Sequence, residues 1–394
     1  PLLQSSAASD VYKRQDNESA SELTRFKTPW LVSTCEWIDS MKRRAIVWLC
    51  ETTGKSILKL TDEDYNKNGL SDLLALEGSS YDLNINMFNH FQNTVTGWPG
   101  GKPGADDSTR PERKSPNSKR VIIFSPHPDD DVVSMGGTFD RLVSQGHKVH
   151  IAYQVKGNIA VSDHDALKFI EVSKDMFKND SKVLVSELIK ELKNNKPDKI
   201  DSQAVRDLKG FIRKREAIAA TRYFGIPDSN THFMNLPFYN TGRIKKNPPT
   251  KKDVLITASL IKKIKPHQIF AAGDLEDPHG THKVCLDVIL DALDILKGEK
   301  FIKDCWLWLY RGAWLDWDVH DIDMAVPMSP AQVLRKRKAI FFHQTQKDGV
   351  MFQGQDHREF WVRAEKRNSE TAEKYKKMGL ADYAAIESFK RHYY

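Results

Sequence analysis

An apolar run at residues 121–124 ends abruptly in a cluster of one histidine and three carboxylates, and this junction limits the folds open to the chain. The cluster consists of His127, Asp129, Asp130 and Asp131. The run predicts a buried strand, and the Met-Gly-Gly-Thr sequence at 135–138 predicts a turn into a helix. Open α/β sheets bind their ligands at the carboxyl ends of their strands, which is where this cluster would lie. A solvated acidic turn with a stray histidine is the alternative interpretation.

A second apolar run, at residues 268–272, ends in a similar cluster. Its polar members are Asp274, Glu276, Asp277, His279 and His282. A tetrahedral catalytic zinc site takes three protein ligands and keeps one position open. His127, one aspartate of the first cluster and one histidine of the second would supply the three ligands. Helix capping or ordinary surface polarity is the alternative interpretation of the two later histidines.

Short apolar strands alternate with amphipathic helices from residue 121 onwards. Strands are predicted at residues 121–126, 148–155, 231–235, 267–272 and 305–310. Helices are predicted at residues 136–145, 164–178, 181–194, 203–224, 251–264, 280–297, 329–342 and 357–378. Such alternation is typical of a parallel sheet covered on both faces, so we expect an α/β fold with a Rossmann-like, mostly parallel sheet flanked by helices. No G-x-G-x-x-G sequence is present, so a nicotinamide cofactor is not supported.

The two clusters resemble the PIG-L/LmbE family of zinc-dependent deacetylases. The resemblance rests on the His-Pro-Asp-Asp sequence after a strand, the Gly-Gly turn, and the distal His-x-x-His spacing. It extends from about residue 120 to at least residue 300, and includes an Arg-x-x-Glu segment at 213–216 before a Gly-Ile turn at 225–226. The family hydrolyses N-acetyl groups on amino sugars such as N-acetylglucosamine conjugates.

The resemblance implies roles for five residues. His127, Asp130 and His282 match the family's metal ligands. Asp129 matches its general base, which takes a proton from the attacking water. His279 matches a histidine that stabilises the oxyanion or protonates the leaving amine. The implied metal is Zn²⁺, and Fe²⁺ or Co²⁺ are alternatives for a site with two histidines and an aspartate.

Two residues depart from the family pattern. The family usually has glutamate where this chain has Asp131, and many members have aspartate where this chain has Thr281. These differences concern the surroundings of the ligands rather than the ligands. The chemistry of amide hydrolysis agrees with the remaining residues. Zinc lowers the pKa of bound water to about 7, and a carboxylate beside the metal that is not itself a ligand can accept the water's proton.

Further residues are candidates for substrate contacts. Asn158 follows the second predicted strand and would bind a sugar hydroxyl, with loop turn chemistry as the alternative. Arg213 would bind sugar or phosphate, with a surface salt bridge to Glu216 as the alternative. Arg311 ends a predicted strand and would contact an anionic group. His343 resembles a late histidine of the family, and a structural role is favoured there.

The first 92 residues differ in character from the rest. Residues 1–15 show no pattern that predicts a folded element, and they resemble translated adapter sequence. We therefore expect them to be non-native and the chain to be a fragment. Residues 22–37 resemble the C-terminal portion of glucosamine-6-phosphate deaminase, the NagB family. The predicted remnant spans residues 16–92 as a small, partial α/β unit, with a short extended piece at 58–60. Some bacterial proteins, notably in Bacteroidetes, fuse such a domain to a PIG-L-type domain.

Residues 93–120 read as a linker rich in proline, glycine and charge. The predicted deacetylase domain then covers residues 121–394. Hydrophobic residues make up 40% of the chain and charged residues 29%, which indicates a globular protein. No apolar run approaches the roughly 20 residues of a membrane span. Residues 1–24 lack the apolar stretch of a secretory signal, so we expect a cytoplasmic protein.

The net charge of the chain is +7, but the sequence contains no nucleic-acid-binding motif. The expected partner is a small amino-sugar substrate, and a homo-oligomer is compatible with a deaminase-type domain. We therefore expect a metal-dependent hydrolase that removes the N-acetyl group from an N-acetylglucosamine-type sugar or conjugate. Two alternatives remain open. The chain would be an accessory part of a glucosamine-6-phosphate deaminase or isomerase fusion protein, or a non-catalytic sugar-binding module.

Overall fold

The computed structural model describes most of the chain, in seven segments. They are residues 37–176, 182–195, 200–243, 245–277, 279–312, 314–347 and 357–394. The segment predicted to be non-native, residues 1–15, and nearly all of the deaminase-like segment at 22–37 lie outside the described residues. The chain divides into two compact units. The described part of the smaller unit comprises residues 37–114, 317–329 and 368–390, and the larger unit takes the remainder.

Helices and strands occupy the following ranges. The helices are α1 (Asp39–Thr53), α2 (Asp62–Lys67), α3 (Ser71–Glu77), α4 (Ser80–Thr94), α5 (Asp130–Ser144), α6 (Asp163–Met176), α7 (Lys182–Lys193), α8 (Gln203–Tyr223), α9 (Lys251–Ile264), α10 (Thr281–Leu296), α11 (Pro330–Ile340), α12 (Gln344–Lys347) and α13 (Phe360–Lys377). The strands are β1 (Arg120–Ser125), β2 (Lys148–Tyr153), β3 (Thr231–Phe233), β4 (Gln268–Ala272), β5 (Trp306–Tyr310), β6 (Met324–Met328) and β7 (Ala385–His392).

Five strands of the larger unit form a sheet in the order β3-β2-β1-β4-β5, and each neighbouring pair is parallel. Strand β1 lies between β2 and β4, with Ile122 opposite both His150 and Ile269. Its residues 121–125 are buried, as the unbroken apolar run predicted. Helices follow the strands along the chain. The expected α/β fold, with a mostly parallel sheet flanked by helices, is confirmed.

Helix α5 differs from its prediction in where it begins. The sequence predicted a turn at 135–138 and a helix from 136, but α5 begins at Asp130 and is only kinked at Met135. The glycine that suggested a turn serves close packing instead. A Cβ atom on Gly136 would lie 3.0 Å from Cγ of Lys336, so the small residue lets α11 approach α5. Asp130 and Asp131 therefore lie on the first turn of a helix, and Asp129 lies at its N-cap.

The smaller unit contains α1 to α4 and the antiparallel pair β6–β7, in which Val326 lies opposite Glu387. The prediction of an extended piece at residues 58–60 is wrong, because Ile57–Lys59 form a 3₁₀ turn. The backbone N–H of Ile57 donates to the carbonyl of Met378 at 3.1 Å, which anchors this turn. The strands of the unit thus come from late in the chain, where none was predicted. How the chain divides into the predicted domains stays a prediction.

Two further features bear on function. In the described part of the chain, no helix has the length and apolar character needed to cross a membrane. The cysteines at positions 50, 285 and 305 are buried and form no disulfide.

Candidate metal centre and active-site cavity

The sheet brings the two predicted clusters together. Strands β1 and β4 are parallel neighbours, paired from Val121 with Gln268 to Ile123 with Phe270. Because parallel strands end at the same edge of a sheet, the segments that follow them meet there. The first segment carries the cluster that begins at His127, and the second leads into α10, which begins at Thr281. The meeting of the clusters is thus a direct consequence of strand order.

Three side chains from these segments converge. His127, Asp130 and His282 each offer a ligand atom, and these atoms all lie within 4.8 Å of one another. Oδ2 of Asp130 is 3.2 Å from Nδ1 of His127 and 3.2 Å from Nε2 of His282. It also accepts a hydrogen bond from the backbone N–H of His127 at 2.8 Å, which fixes the carboxylate. Asp130 and His282 are buried.

The chemistry of these groups fits a divalent metal. Nδ1 of His282 lies 2.8 Å from the carbonyl oxygen of Asp274. A carbonyl only accepts, so Nδ1 carries the proton and Nε2 is the atom turned towards Asp130. Burial lowers the pKa of His282, but the charge and hydrogen bond of Asp130 outweigh it and raise that pKa to about 10. A metal ion bound at Nε2 would displace the proton that this raised pKa keeps on that atom. Two imidazoles and a carboxylate suit zinc and similar ions.

A second carboxylate stands beside this set without belonging to it. Asp129 accepts a hydrogen bond from Nη2 of Arg213 at 2.9 Å, with Arg213 only 1% exposed. Burial raises the pKa of Asp129, and the guanidinium of Arg213 opposes that rise. Gly157 makes room for the arginine: its φ is +64°, and a Cβ atom there would lie 3.3 Å from Nε of Arg213 and 2.9 Å from Cδ of Pro128. Asp129 is therefore held by a cation rather than by the ligand cluster.

The alternative interpretation of Arg213 is wrong. That alternative is a surface salt bridge to Glu216, but both residues are buried and contact different groups. Glu216 accepts hydrogen bonds from the backbone N–H and the hydroxyl of Thr345, each at 2.8 Å. The i, i+3 spacing suggested a pair on the helix surface, yet α8 turns this face inwards.

Asp277 organises the beginning of α10. Its carboxylate accepts hydrogen bonds from the backbone N–H groups of Thr281 at 2.7 Å and His282 at 3.1 Å. Its Oδ2 also lies 3.3 Å from Nδ1 of His279. Burial raises the pKa of Asp277, but the His279 contact and the nearby histidines reverse this and lower it. The sequence placed Asp277 in the cluster without a role. Asp277 lies three residues before the N-cap, Gly280, so the usual capping pattern of a sequence does not indicate this role.

Asp131, where the family usually has glutamate, faces away from the ligands. Its two oxygens are within hydrogen-bond distance of the hydroxyls of Tyr153, at 3.0 Å, and Ser125, at 3.2 Å. Burial raises its pKa to about 7. The residue therefore ties the start of α5 to the ends of β1 and β2.

The three converging side chains, called the ligand cluster, face a cavity. His127, Asp129, Asp130, Arg213, His279 and His282 line it, so the structure brings six predicted site residues together. Sequence reasoning missed most of the remaining wall. These residues include Ile159, Tyr239, Lys246, Trp314, Gln346 and Phe360. Tyr239 is placed there by a buried turn whose neighbours Leu236 and Phe238 pack on Val288 of α10.

Two predicted substrate residues do not line this cavity within the described part of the chain. Asn158 is buried at the start of a 3₁₀ turn, and the next residue, Ile159, forms the wall instead. Nε of Arg311 donates to the carbonyl of Gly273 at 2.9 Å, in the loop after β4. Contact of Asn158 and Arg311 with a substrate stays a prediction.

His343 lies buried near the cavity but does not line it. Neither ring nitrogen has a hydrogen-bond partner among the described residues. Burial, aided by the charge of Arg213, lowers its pKa to about 3. The structural role favoured for His343 stays a prediction, because the hydrogen bonds expected of a structural histidine are missing among the described residues.

Known proteins are similar to this chain, two of them by structure and one by sequence. The N,N'-diacetylchitobiose deacetylase of Pyrococcus horikoshii is 17% identical with a TM-score of 0.44, and the match covers 70% of this chain and 84% of that one. GalB, the 4-carboxy-2-hydroxymuconate hydratase of Pseudomonas putida, is 16% identical with a TM-score of 0.44, covering 70% and 97%.

A relative from Bacteroides thetaiotaomicron, described as a glucosamine-6-phosphate deaminase-like protein, is 53% identical over 383 residues. The match covers 95% of this chain, which spans 58% of the length of that relative. Residues 122–293 match the family model described as PIG-L, GlcNAc-PI de-N-acetylase. This part of the chain, residues 122–293, is therefore similar to the GlcNAc-PI de-N-acetylase family.

Proposed function

We propose that this chain is a metal-dependent N-deacetylase acting on an N-acetylglucosamine-type amino sugar or its conjugate. The products are acetate and the free amine. One observation carries the proposal. The donor atoms of His127, Asp130 and His282 converge beside a carboxylate, Asp129, that Arg213 holds next to the ligand set. Ligands together with a separate base are the combination that metal-assisted amide hydrolysis requires.

His127, Asp130 and His282 would hold the metal, which we propose to be zinc, with Fe²⁺ or Co²⁺ as alternatives. A bound divalent ion polarises the amide carbonyl and lowers the pKa of the attacking water. The chain itself supplies the orientation of the ligands. The Asp274 carbonyl orients His282, and the backbone N–H of His127 orients Asp130.

Asp129 is the proposed general base. Its Oδ1 accepts from Arg213, which stabilises the ionised form and fixes the plane of the carboxylate. The side chain lines the cavity, so its other oxygen can take a proton from the attacking water. Nε and Nη1 of Arg213 are buried without a hydrogen-bond partner among the described residues. The arginine also lines the cavity, which supports the substrate role predicted for it.

His279 is the proposed acid or oxyanion-stabilising group. It lines the cavity, and Oδ2 of Asp277 lies 3.3 Å from its Nδ1. This contact fixes the orientation of the imidazole ring. The ring can then stabilise negative charge on the carbonyl oxygen or give its proton to the leaving nitrogen. Asp277 acts here as a positioning residue.

The relative from Bacteroides thetaiotaomicron supports a second, wider proposal. We infer that residues 16–92 are the C-terminal part of a glucosamine-6-phosphate deaminase-like domain, joined through residues 93–120 to the deacetylase domain at 121–394. The name of the longer relative supports it. In such a protein, deacetylation would supply the free amine of an amino sugar to a deaminase.

Acetate release tests the proposed function. Metal-loaded and chelator-treated protein are compared on N-acetylglucosamine, its phosphates and its glycosides. We expect release that chelation abolishes and that added metal restores. Ammonia release without acetate would instead favour an accessory role in sugar-phosphate deamination. Sugar binding without either product would indicate a non-catalytic binding module.

A further inference from the structure

One cation in the active-site cavity has no role in the proposed chemistry. Lys246 lines the same cavity as the metal-ligand cluster. Its Nζ lies 3.9 Å from the ring centroid of Tyr239, and it donates to the carbonyl of Arg243 at 2.6 Å. The Tyr239 ring centroid lies 6.2 Å from that of His127. The same aromatic ring thus contacts this ammonium and lies beside a proposed ligand of the metal.

The protein supplies no counter-ion for this ammonium in the described part of the chain. The two carboxylates of the cavity are both engaged elsewhere, Asp129 by Arg213 and Asp130 by the ligand histidines. Burial lowers the pKa of Lys246 to about 8, so the group remains mostly protonated at neutral pH. The Tyr239 ring and the Arg243 carbonyl stabilise the charge without neutralising it. A half-buried cation of this kind favours a ligand that brings an anion.

We infer that Lys246 binds a phosphate group on the substrate, so that the preferred substrate is a phosphorylated N-acetyl amino sugar. The inference rests on the proposed deacetylase function and names its substrate class. A lysine acts on phosphate as a point charge, which suits a single ammonium at the wall of a cavity. The acetamide would lie at the ligand cluster, and the phosphate would lie beyond the Tyr239 ring.

The neighbouring lysine offers a matched control. Lys245 is exposed and belongs to the same segment, but it does not line the cavity. We compare N-acetylglucosamine with its 6-phosphate and 1-phosphate in the wild-type protein and in Lys246→Met, Lys246→Arg and Lys245→Met. In the wild type, kcat/KM for one phosphorylated sugar should exceed that for the neutral sugar by about 10-fold or more.

The variants separate charge recognition from packing. Lys246→Met should abolish most of the preference for the phosphorylated sugar, mainly through KM, and Lys246→Arg should restore much of it. Lys245→Met should behave as the wild type. Equal turnover of neutral and phosphorylated sugars by the wild type, or the same preference in Lys246→Met, would overturn the inference while the deacetylase function stands.

Calorimetric titration keeps the inference testable if no sugar releases acetate. The absence of acetate release would reject the proposed deacetylase function but would leave phosphate recognition by Lys246 to be tested. Binding of N-acetylglucosamine 6-phosphate or 1-phosphate is then measured on metal-loaded protein. Affinity that falls about 10-fold in Lys246→Met but not in Lys245→Met would support phosphate recognition. Absence of binding, or equal affinity in both variants, would reject it.

Discussion

Arg213 donates a hydrogen bond from Nη2 to Oδ1 of Asp129 over 2.9 Å, and both side chains are buried. The pair joins helix α8 to the segment after β1, two parts of the chain more than eighty residues apart. A buried ion pair is costly to break, because the remaining charge loses its partner in a low-dielectric environment. Arg213 therefore contributes both to the fold and to the orientation of the proposed base.

Replacement of this arginine should affect stability and activity together. Arg213→Met leaves Asp129 without its cation, and we expect a loss of about 3–5 kcal/mol in the free energy of unfolding. Acetate release should fall about 100-fold, because a misplaced base transfers protons poorly. Denaturant unfolding and steady-state kinetics measure the two effects. Arg215→Met, at an exposed position of the same helix, is the control. Normal kcat in Arg213→Met would remove the positioning role.

Loss of one ligand histidine should abolish metal binding. We expect His282→Asn to lower metal affinity by more than about 100-fold. Replacing a residue that only hydrogen-bonds to a ligand costs about 10–100-fold, and loss of a ligand itself should cost more. Metal content after dialysis and competition with a chromogenic chelator give the measurement. His232→Asn is the control, because that histidine pairs with His150 in the sheet and not with the cluster. Stoichiometric metal in His282→Asn would show that the cluster is not the site.

Asp277 should act on catalysis through His279. In Asp277→Ala, the first two N–H groups of α10 lose their acceptor, at a cost of about 0.5–2 kcal/mol. The imidazole also loses its carboxylate, and kcat should fall by about 10–100-fold at full metal occupancy. Asp64→Ala, which removes one half of the capping box of α2, should lower stability by a similar amount and leave kcat unchanged. An equal effect of both variants on kcat would assign Asp277 a purely structural role.

The buried His343 should make the protein sensitive to acid. Its pKa is about 3 in the folded protein, against about 6.5 when unfolded, so protons bind preferentially to the unfolded chain. The neutral form thus contributes stability above about pH 6.5 that is lost as the pH falls towards 3. At pH 5 the loss should reach about 2 kcal/mol.

His343→Gln cannot titrate, so its Tm should fall less than that of the wild type between pH 7 and pH 5. Thermal unfolding across this range provides the measurement. His164→Gln, at an exposed position, should follow the wild type. Parallel Tm curves for the wild type and His343→Gln would exclude a buried neutral histidine at this position.

The meeting of the two candidate ligand segments was predictable because it depends on few variables, whereas the choice of Asp130 and His282 came from the family resemblance. His127 and Asp130 follow a strand that is recognisable from its apolar run, and His282 follows another. Once β1 and β4 are parallel neighbours, their following segments must meet at one edge of the sheet. No knowledge of the loops is needed for that conclusion.

Other parts of the site depend on contacts that a single sequence does not encode locally. Lys246 and Trp314 reach the cavity through irregular segments, whose paths depend on distant packing. The burial of Arg213 depends on the space left by Gly157, more than fifty residues earlier in the chain. Periodicity indicates which face of a helix is apolar, but not that a charged residue is buried against a carboxylate.

The strands of the smaller unit were missed for specific reasons. Pro327 lies within β6, and proline argues against a strand because it cannot donate to a ladder. In β7, the polar residues Glu387 and Ser388 are neighbours in the sequence, and both are buried. The strand therefore lacks the alternation of apolar and polar residues by which a strand is recognised. Tertiary pairing rather than local pattern forms these strands.

The Asp129→Asn variant, loaded with metal, tests the central claim most directly. The amide keeps the shape of the side chain but cannot accept the proton of the attacking water. Acetate release from the best sugar should fall by about 100-fold or more while metal content stays at the wild-type level. Asp228→Asn, at an exposed aspartate paired with Arg222, should retain full activity. Undiminished acetate release by Asp129→Asn at full metal occupancy would contradict the account.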